Sequence, residues 1–318
     1  MVNWQPGASL DILRKRAELL AQLREFFAAK KILEVETPAL ANAPVTDLHI
    51  QSLISAIDFG QGKQTLYLQT SPEFAMKRLL AAYSESIYQI GKVFRHDPVS
   101  RQHNPEFTLL EWYRPGFTLE QLMAEVAELL CPLLRCESMP QISYRELFEK
   151  HLAINPHSID SKELADIAHG KIDLSMVELS DTDYLQLLMT NLIEPELPAT
   201  CFVFDYPKGQ ASLSAIDYND ERDLVAKRFE VYYEGMELAN GYYELVDARE
   251  QRARFEADNA ARERLGLEVY PLDEKFLAAM EAGIPASAGV ALGFDRLFMA
   301  IHGIKDIDQA LTFSTPRA

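Results

Sequence analysis

Apolar positions alternate along the chain between helical and strand-like spacing. Ser9 can cap a first helix, because apolar residues follow it at the helical period. This stripe comprises Leu13, Ala17, Leu20, Leu23 and Phe27. Residues 32–38 then alternate apolar and polar like a strand that Pro38 ends. A second helix is expected to start at Ser71-Pro72-Glu73, which supplies a cap, a first-turn proline and a first-turn acid, and to run to about residue 82.

The remaining pattern predicts a mixture of helices and adjacent strand pairs. Expected strands are a short one at 66–68, then 87–94, 106–114, 201–205, a hairpin of 229–233 with 236–246, and 290–293. Expected helices are 119–134 after Thr118, one after the Ser143–Glu146 capping box, one to about 265 after Asp247, one to 282 after Asp273, and one near Asp295. Strict strand–helix–strand alternation is rare here, which favours an α+β fold with an antiparallel sheet flanked by helices. We expect one domain over 1–318, with a helical insertion at roughly 135–199.

Composition narrows the function classes. Apolar residues make up 48% and charged residues 25% of 318, which is typical of a globular protein. The net charge of −17 disfavours binding to nucleic acid or to an anionic membrane, because phosphate neutralisation needs a basic surface. The three cysteines give no disulfide framework, and no apolar run approaches about 18 residues. We therefore expect a cytoplasmic protein that binds neither nucleic acid nor a membrane.

A cationic loop separates the strands 87–94 and 106–114. Arg95, His96, Arg101 and His103 lie in or beside it. An arginine at a strand end can bind phosphate oxygens through two parallel hydrogen bonds. The same pattern also fits a solvated hairpin with ordinary surface cations, and the loop alone does not decide between them.

The segment 237–244 carries two acids, an amide and aromatic residues. In a regular strand Asn240, Tyr242 and Glu244 share a face, whereas Glu237 points the other way. A bulge at Asn240-Gly241 would bring Glu237 and Glu244 to one side, where they could hold Mg²⁺ and a cationic amine. Without other support, an edge strand with outward acids is the favoured explanation of the segment.

A third segment, 288–296, leads from a strand into a helix. Gly293 allows close approach of a ligand to the backbone, and Arg296 lies in the first helical turn, where the dipole favours anions. Glycines before a helix are common, so this segment is also weak alone.

Together and in this order, the segments resemble the three motifs of class II aminoacyl-tRNA synthetases. The first helix with residues 34–38 resembles motif 1, the dimer-forming element; residues 94–113 resemble motif 2, and residues 289–296 resemble motif 3. The strings His103-Asn-Pro-Glu-Phe-Thr and Glu237-Leu-Ala-Asn-Gly are close to those of lysyl-tRNA synthetases. The resemblance runs from about residue 10 to the C-terminus and is thinnest in the helical middle. It implies the class II synthetase catalytic fold and a homodimer.

The resemblance also implies roles for individual residues. The catalytic residues would be Arg95, Arg296 and Glu237. ATP would be bound by Arg95, His96, Asp97, His103, Asn104, Phe107, Glu237, Leu238, Gly293 and Arg296. The amino-acid substrate would be bound by Ser71, Pro72, Glu73, Glu111, Tyr113, Asn240, Tyr242, Glu244 and Ala291. Mg²⁺ would be held by Glu237 and Glu244.

Which substrate the resemblance implies depends on one domain of the lysyl-tRNA synthetases that we do not expect in this chain. Lysyl-tRNA synthetases carry an N-terminal OB domain that reads the anticodon, and here the motif 1 helix begins near Ser9, so we expect no such domain. The chain resembles the truncated paralogues that activate (R)-β-lysine with ATP and attach it to a lysine of translation elongation factor P. One alternative is a truncated lysyl enzyme that charges tRNA. Another is a non-catalytic synthetase-like subunit, which would be expected to have lost Arg95, Arg296 or Glu237.

Two positions depart from the lysyl-tRNA synthetase pattern. Asp97 stands where the family usually has Glu, which shortens the side chain on the adenine side. Ala291 stands where lysyl-tRNA synthetases have Gly, and its methyl group would narrow the amino-acid pocket. The resemblance implies that the ligase subgroup shares this Ala, which favours a β-amino acid over α-lysine.

Overall fold

The computed structural model describes residues 4–60, 62–174 and 179–318. Its α-helices are α1 Leu10–Ala29, α2 Glu73–Tyr83, α3 Leu119–Leu134, α4 Tyr144–Leu152, α5 Ser161–Lys171, α6 Asp181–Leu188, α7 Ala248–Arg264, α8 Glu274–Gly283 and α9 Phe294–His302. Its strands are β1 Leu33–Glu34, β2 Leu40–Ala41, β3 Ile54–Asp58, β4 Lys63–Leu68, β5 Ile87–Phe94, β6 Glu106–Pro115, β7 Gln141–Ser143, β8 Thr200–Pro207, β9 Ile216–Tyr218, β10 Leu224–Tyr233, β11 Met236–Tyr243 and β12 Ser287–Gly293. Two compact units are formed, the first within Met1–Gly116, Val246–Ser287 and Ala291–Ala318, the second within Phe117–Leu245 and Ala288–Val290.

In the first unit, β5 and β6 form a long antiparallel pair. Their register runs from Ile87 opposite Tyr113 to Phe94 opposite Glu106, and β1 pairs in parallel with the start of β5. Helix α1 packs on this sheet through Phe27, whose ring is 4.3 Å from that of Tyr88. The strands β2, β4 and β3 form a separate antiparallel sheet in that order.

In the second unit, β10 is the central strand. It pairs antiparallel with β11, β8 and β9, and β8 pairs in parallel with β7. Helices α4, α5 and α6 supply most of an apolar core that includes Tyr144 and Phe148, and β8 and β10 contribute Val203 and Tyr232 to it. Strand pairing in both units is therefore mostly antiparallel, and the α+β prediction is confirmed.

The predicted helix caps are confirmed at five helices, one of which is α8, where the Asp273 side chain accepts two backbone N–H groups of the first turn. The side chains of Ser9, Thr118, Ser143 and Asp247 each accept a backbone N–H of the following first turn. Helix α2 differs by one residue, because its cap position is Pro72, which has no side-chain acceptor. Ser71 nevertheless accepts the Glu73 N–H at 3.0 Å, so the serine performs the expected task from one residue earlier.

Two predicted features of the N-terminal segment differ in detail. The strand expected over 32–38 is limited to β1, and its pairing with β5 ends where Val35 N–H donates to Tyr88 O at 2.8 Å. Pro38 has no N–H with which to continue the ladder. In α1, Leu23 and Phe27 are buried as expected, whereas Ala17 is exposed and Leu19 is buried instead.

The predicted helical region at roughly 135–199 lies in the second unit and contains α4, α5 and α6. The expectation of one domain over 1–318 stays a prediction. Among the helices of the described residues, none is both long and apolar enough to cross a membrane.

Candidate active site

Arg95 lies at the first residue after β5, where the loop leaves the sheet. Its N–H donates to Pro105 O at 2.9 Å, which closes the base of the loop. Its side chain donates through Nε to Thr70 O at 3.3 Å, and the guanidinium carbon lies 5.2 Å from the centre of the Phe107 ring. The β5–β6 pair thus holds an arginine and an aromatic ring together, as the sequence predicts for binding phosphate and adenine.

His103 connects this loop with the start of α9. Arg296 Nη2 donates to His103 Nε2 at 2.8 Å, so this nitrogen is the acceptor, and His103 Nδ1 lies 2.9 Å from Ser100 Oγ. Burial, followed by the charges of Arg296 and Arg95, lowers the pKa of His103, although Asp97 opposes the shift. The imidazole is therefore neutral near pH 7 and orients Arg296. Two arginines therefore lie near one neutral histidine within an acidic protein, and their guanidinium donors are of the kind that binds phosphate oxygens.

The position of Arg296 is fixed by the residue before it. Asp295, which is 2% exposed, accepts Thr108 N–H from β6 at 2.6 Å and forms an ion pair with Arg16 of α1, also at 2.6 Å. The Arg16 guanidinium in turn lies 4.5 Å from the centre of the Phe294 ring. The first turn of α9 is thereby joined to β6 and α1. Arg296 is the next residue along this turn, so the position of its backbone is well defined.

His96 and Asn104 have protein partners at opposite ends of the loop. His96 Nδ1 lies 3.0 Å from Gln51 Oε1. Asn104, buried at 4% exposure, donates through Nδ2 to Glu106 O at 2.6 Å and accepts Thr315 N–H at 2.9 Å. The Asn104 amide thus holds the loop against the segment 314–318, and direct contact between Asn104 and ATP stays a prediction.

A second polar group in the first unit contains the predicted substrate residues from α2 and β6. Ser71 Oγ donates to Glu111 Oε1 at 2.7 Å, and Tyr113 OH donates to Glu111 Oε2 at 3.2 Å. Lys77 forms an ion pair with Glu73 at 2.6 Å and is 0% exposed. Complete burial and the charge of Glu73 raise the pKa of Glu111 to about 8, so Glu111 is mostly protonated at pH 7. A mostly protonated Glu111 therefore lies within hydrogen-bonding distance of Ser71 and Tyr113.

A cavity of about 370 Å³ in the first unit opens beside Ser71, Pro72 and Glu73. Its other walls come from residues 38, 40–45, 52, 67–70, 74, 75, 78 and 272–275. The volume lies at the lower end of small-molecule pockets. It gives the three predicted substrate residues a space that a lysine-sized molecule could fill.

In the second unit, β11 contains a β-bulge. Val231 of β10 pairs with Ala239, whereas its neighbour Tyr232 pairs with Glu237. Leu238 is therefore the extra residue, and the alternation of faces changes there.

The bulge was predicted at Asn240-Gly241 and lies two residues earlier, at Leu238. The expected change of face is found for Glu237, whereas its approach to Glu244 stays a prediction. Residues that pair across antiparallel strands share a face, so Glu237 lies on the same face as Asn240 and Tyr242. The bulge does not lie at the glycine, because Gly241 pairs regularly with Phe229.

Arg228 of β10 holds the Asn240 amide. Its Nε donates to Asn240 Oδ1 at 3.1 Å, and Asn240 Nδ2 lies 3.2 Å from Tyr242 OH. Arg228 also forms an ion pair with Glu230. These contacts place two predicted substrate residues in one hydrogen-bonded group on the sheet.

Glu244 follows β11 and is 1% exposed, in an isolated antiparallel bridge with Ser214. Glu237 and Glu244 are the predicted Mg²⁺ ligands. No group of three His, Cys, Asp or Glu in the described part of the chain could hold a metal ion by itself. Carboxylates are suitable ligands, because Mg²⁺ at nucleotide sites is usually held by one or two of them and completed by phosphate oxygens, and the binding of Mg²⁺ by Glu237 and Glu244 stays a prediction.

Gly241 is required by close packing of β11 on β10. A Cβ at this position would lie 2.4 Å from Phe229 Cζ and 2.5 Å from its Cε1. We expect Gly241→Ala to reduce the free energy of unfolding by about 1–3 kcal/mol, because the buried Phe229 ring has to leave its rotamer. Urea unfolding of the two proteins measures this difference. Gly170→Ala is the matched control, because nothing lies within 4 Å of its Cβ position; an equal loss in both variants would contradict the packing argument.

The remaining predicted residues lie in or at the ends of β11, β12 and α9. Gly293 is the cap residue of α9, and Ala291 is half-buried in β12. Leu238 is 2% exposed at the bulge.

Sequence reasoning missed three residues of these groups: Lys77, Arg228 and Asp295. Lys77 could have been found, because it stands four residues after Glu73 on one helix face. Arg228 contacts Asn240 on the neighbouring strand, and Asp295 contacts Thr108 of β6. Each contact joins two separate segments, so a local sequence pattern does not predict it.

Comparison with known proteins places these groups in a family. Residues 3–317 match the family "tRNA synthetases class II (D, K and N)". The elongation factor P–(R)-β-lysine ligase of Proteus mirabilis is 47% identical, with 100% of this chain and 99% of that protein covered. The ligases of the same name from Edwardsiella ictaluri (47%; 100% and 99% covered) and Yersinia enterocolitica (46%; 99% and 98% covered) are similarly close.

These matches cover both units and every residue of the polar groups described above. Family membership confirms the class II synthetase fold and ATP-dependent ligase chemistry predicted from the three motifs. The chain belongs to the class II tRNA synthetase family of the D, K and N type and, within it, to the family of the elongation factor P–(R)-β-lysine ligases.

Proposed function

We propose that this enzyme activates (R)-β-lysine with ATP and transfers it to the ε-amine of a lysine on translation elongation factor P. The observation that carries the proposal is the 47% identity to a ligase of that name over essentially its whole length. Arg95, Arg296 and Glu237, whose loss would mark a non-catalytic subunit, are all present.

In the activation step, a carboxylate oxygen of β-lysine attacks the α-phosphorus of ATP. The bond to the bridging oxygen breaks, pyrophosphate leaves and an aminoacyl-adenylate forms. Arg95 is assigned to the α-phosphate and Arg296 to the γ-phosphate end, and both neutralise charge that grows on the phosphoryl oxygens. No covalent enzyme intermediate is needed, because positioning and charge neutralisation lower the barrier.

Mg²⁺ is proposed as the cofactor, with Glu237 and Glu244 as its protein ligands. When bound, the ion would supply further charge neutralisation at the phosphates.

The ammonium groups of β-lysine are assigned to Glu73, Glu244 and Tyr113. Glu111 supports this arrangement by accepting from Ser71 and Tyr113, which fixes the phenol in place. Because Glu111 is mostly protonated at pH 7, the site carries less negative charge than its carboxyl groups suggest.

In the transfer step, the neutral ε-amine of the acceptor lysine attacks the carbonyl carbon of the adenylate. An amide forms, and the bond to AMP breaks. We further propose that the enzyme acts in the cytoplasm as a homodimer formed through α1 and β1. The exposure of Leu10 (64%) and Leu33 (58%) supports this contact.

The direct test is mass spectrometry of elongation factor P after incubation with the enzyme, ATP and Mg²⁺. We expect (R)-β-lysine to add one lysyl residue to a single lysine, and α-lysine to react less. The control is elongation factor P with that lysine replaced by arginine. Unmodified elongation factor P together with stable lysyl-tRNA from total tRNA would contradict the proposal and favour the tRNA-charging alternative.

Ala291 is expected to narrow the amino-acid pocket. Ala291→Gly should raise kcat/KM for α-lysine relative to (R)-β-lysine by about 10-fold, within the 1–3 kcal/mol that one methyl contributes to discrimination. Pyrophosphate exchange with each isomer measures the ratio. An unchanged ratio would show that Ala291 does not line the pocket.

A further inference from the structure

The side chain of Arg228 contacts several residues on neighbouring segments of the second unit. In addition to Asn240 and Glu230, it donates through Nη1 to Gln210 O at 2.9 Å, and its guanidinium carbon lies 4.6 Å from the centre of the Tyr206 ring. The guanidinium plane is therefore fixed by contacts on several sides, and its Nε–H points at one acceptor only, Asn240 Oδ1.

Glu230 is fixed just as firmly. Tyr206 OH and Tyr232 OH each donate to Glu230 Oε2 at 2.6 Å, which leaves Oε1 for Arg228. Burial raises the pKa of both tyrosines well above the usual value, so their hydroxyl groups stay protonated and remain donors. The two phenols thus donate to Glu230, Glu230 pairs with Arg228, and Arg228 donates to Asn240.

These contacts determine the orientation of the Asn240 side-chain amide, that is, whether its oxygen or its NH₂ group faces Arg228. A guanidinium can only donate, so the atom that faces Arg228 has to be the amide oxygen. The NH₂ group then points to the other side, where one N–H lies near Tyr242 OH, and Asn240 is only half-buried. With the amide reversed, two donors would face each other at Arg228, and a buried donor would lose its acceptor.

We propose that Arg228, held by Glu230, is a positioning residue that fixes the Asn240 amide so that its N–H, and not its oxygen, faces the carboxylate of the amino-acid substrate. The inference rests on the proposed function and on the assignment of Asn240 to the amino-acid substrate, which the family resemblance implies. An N–H donor attracts a carboxylate, whereas an amide oxygen in the same place repels it. Arg228 thus acts through Asn240, without touching substrate.

The test separates carboxylate recognition from general binding. Pyrophosphate exchange gives KM for (R)-β-lysine and for ATP, and inhibition by 1,4-diaminopentane, which is β-lysine without its carboxylate, gives a Ki. For Arg228→Met we expect KM for β-lysine to rise about 10- to 100-fold, because a hydrogen bond to a charged group is lost. KM for ATP and Ki for the diamine should change less than about 3-fold, and Arg228→Lys, which keeps a donor, should restore most of the loss.

Arg145→Met is the matched control, because Arg145 also forms ion pairs in the second unit, with Glu149, Glu221 and Asp223, and none of these partners lies on β11. It should leave both KM values unchanged. Where the Met variant does not fold, the pair Arg228→Met/Glu230→Leu removes both buried charges together.

Three outcomes are distinguishable. A selective rise in KM for β-lysine supports the positioning role. An equal rise in KM for β-lysine, KM for ATP and Ki for the diamine overturns it and leaves Arg228 a structural residue. Wild-type enzyme without β-lysine-dependent exchange overturns the proposed function and, with it, the assignment of Asn240.

Discussion

Arg296→Ala should reduce the rate of β-lysine-dependent pyrophosphate exchange by about 10³-fold or more. The variant loses the guanidinium that is assigned to the triphosphate, and arginines in this role contribute about 10³–10⁵ in phosphoryl-transfer enzymes. It also leaves His103 Nε2 without the donor that lies 2.8 Å away. Arg296→Lys should recover only part of the rate, because an ammonium cannot form two parallel bonds to phosphate oxygens.

The matched control for this substitution is Arg252→Ala. Arg252 also uses its guanidinium fully, with two hydrogen bonds to Glu274 at 3.0 and 2.6 Å, but it lies on the exposed face of α7. Its exchange rate should equal that of the wild type. A wild-type rate in Arg296→Ala would remove Arg296 from the catalytic residues, whatever the control gives.

Lys77→Met should reduce the free energy of unfolding by about 3–5 kcal/mol. Lys77 is fully buried and pairs at 2.6 Å with Glu73, whose side chain is 13% exposed. Removing one partner of a buried ion pair leaves the other charge without compensation in a low dielectric. The nearby Glu111, whose pKa is raised to about 8, is mostly protonated at pH 7 and supplies no compensating positive charge.

The double variant Lys77→Met/Glu73→Gln tests the cause of this loss. It removes the stranded charge and should recover at least half of the stability, because replacing both members of a buried pair is far less costly than replacing one. Urea unfolding of the two variants and the wild type measures the recovery. If Glu73→Gln adds to the loss in the Lys77→Met background, the ion pair is not what Lys77 contributes.

Much of the local structure could be predicted from the sequence. Ser9, Thr118, Ser143 and Asp247 mark helix starts by side-chain chemistry that acts over three residues, and the structure places a helix after each. The chemistry of Arg95, Arg296 and Glu237 became specific only through their order along the chain, because each segment alone also fits ordinary surface structure.

Other features depend on partners distant in sequence. The bulge at Leu238 arises from the pairing of β11 with β10, so the alternation in 236–243 could suggest that a bulge exists but not where it lies. Arg228 reaches Asn240 because the hairpin places them on one face, and Asp295 reaches Thr108 across 187 positions of sequence. Such contacts belong to the packed chain, and periodicity in one segment cannot reveal them.

The contacts that fix the Asn240 amide also affect how readily this residue loses ammonia during storage. An asparagine followed by glycine is the sequence most prone to lose ammonia, because the unhindered glycine nitrogen can attack the side-chain amide carbon. Here Gly241 is paired with Phe229 in an extended strand, and the amide oxygen is bonded to Arg228. Attack therefore requires β11 to open locally, and storage conditions that loosen the hairpin would slowly replace the Asn240 amide by a carboxylate. Loss of activity in an old preparation would then begin at this residue while the rest of the fold remained intact.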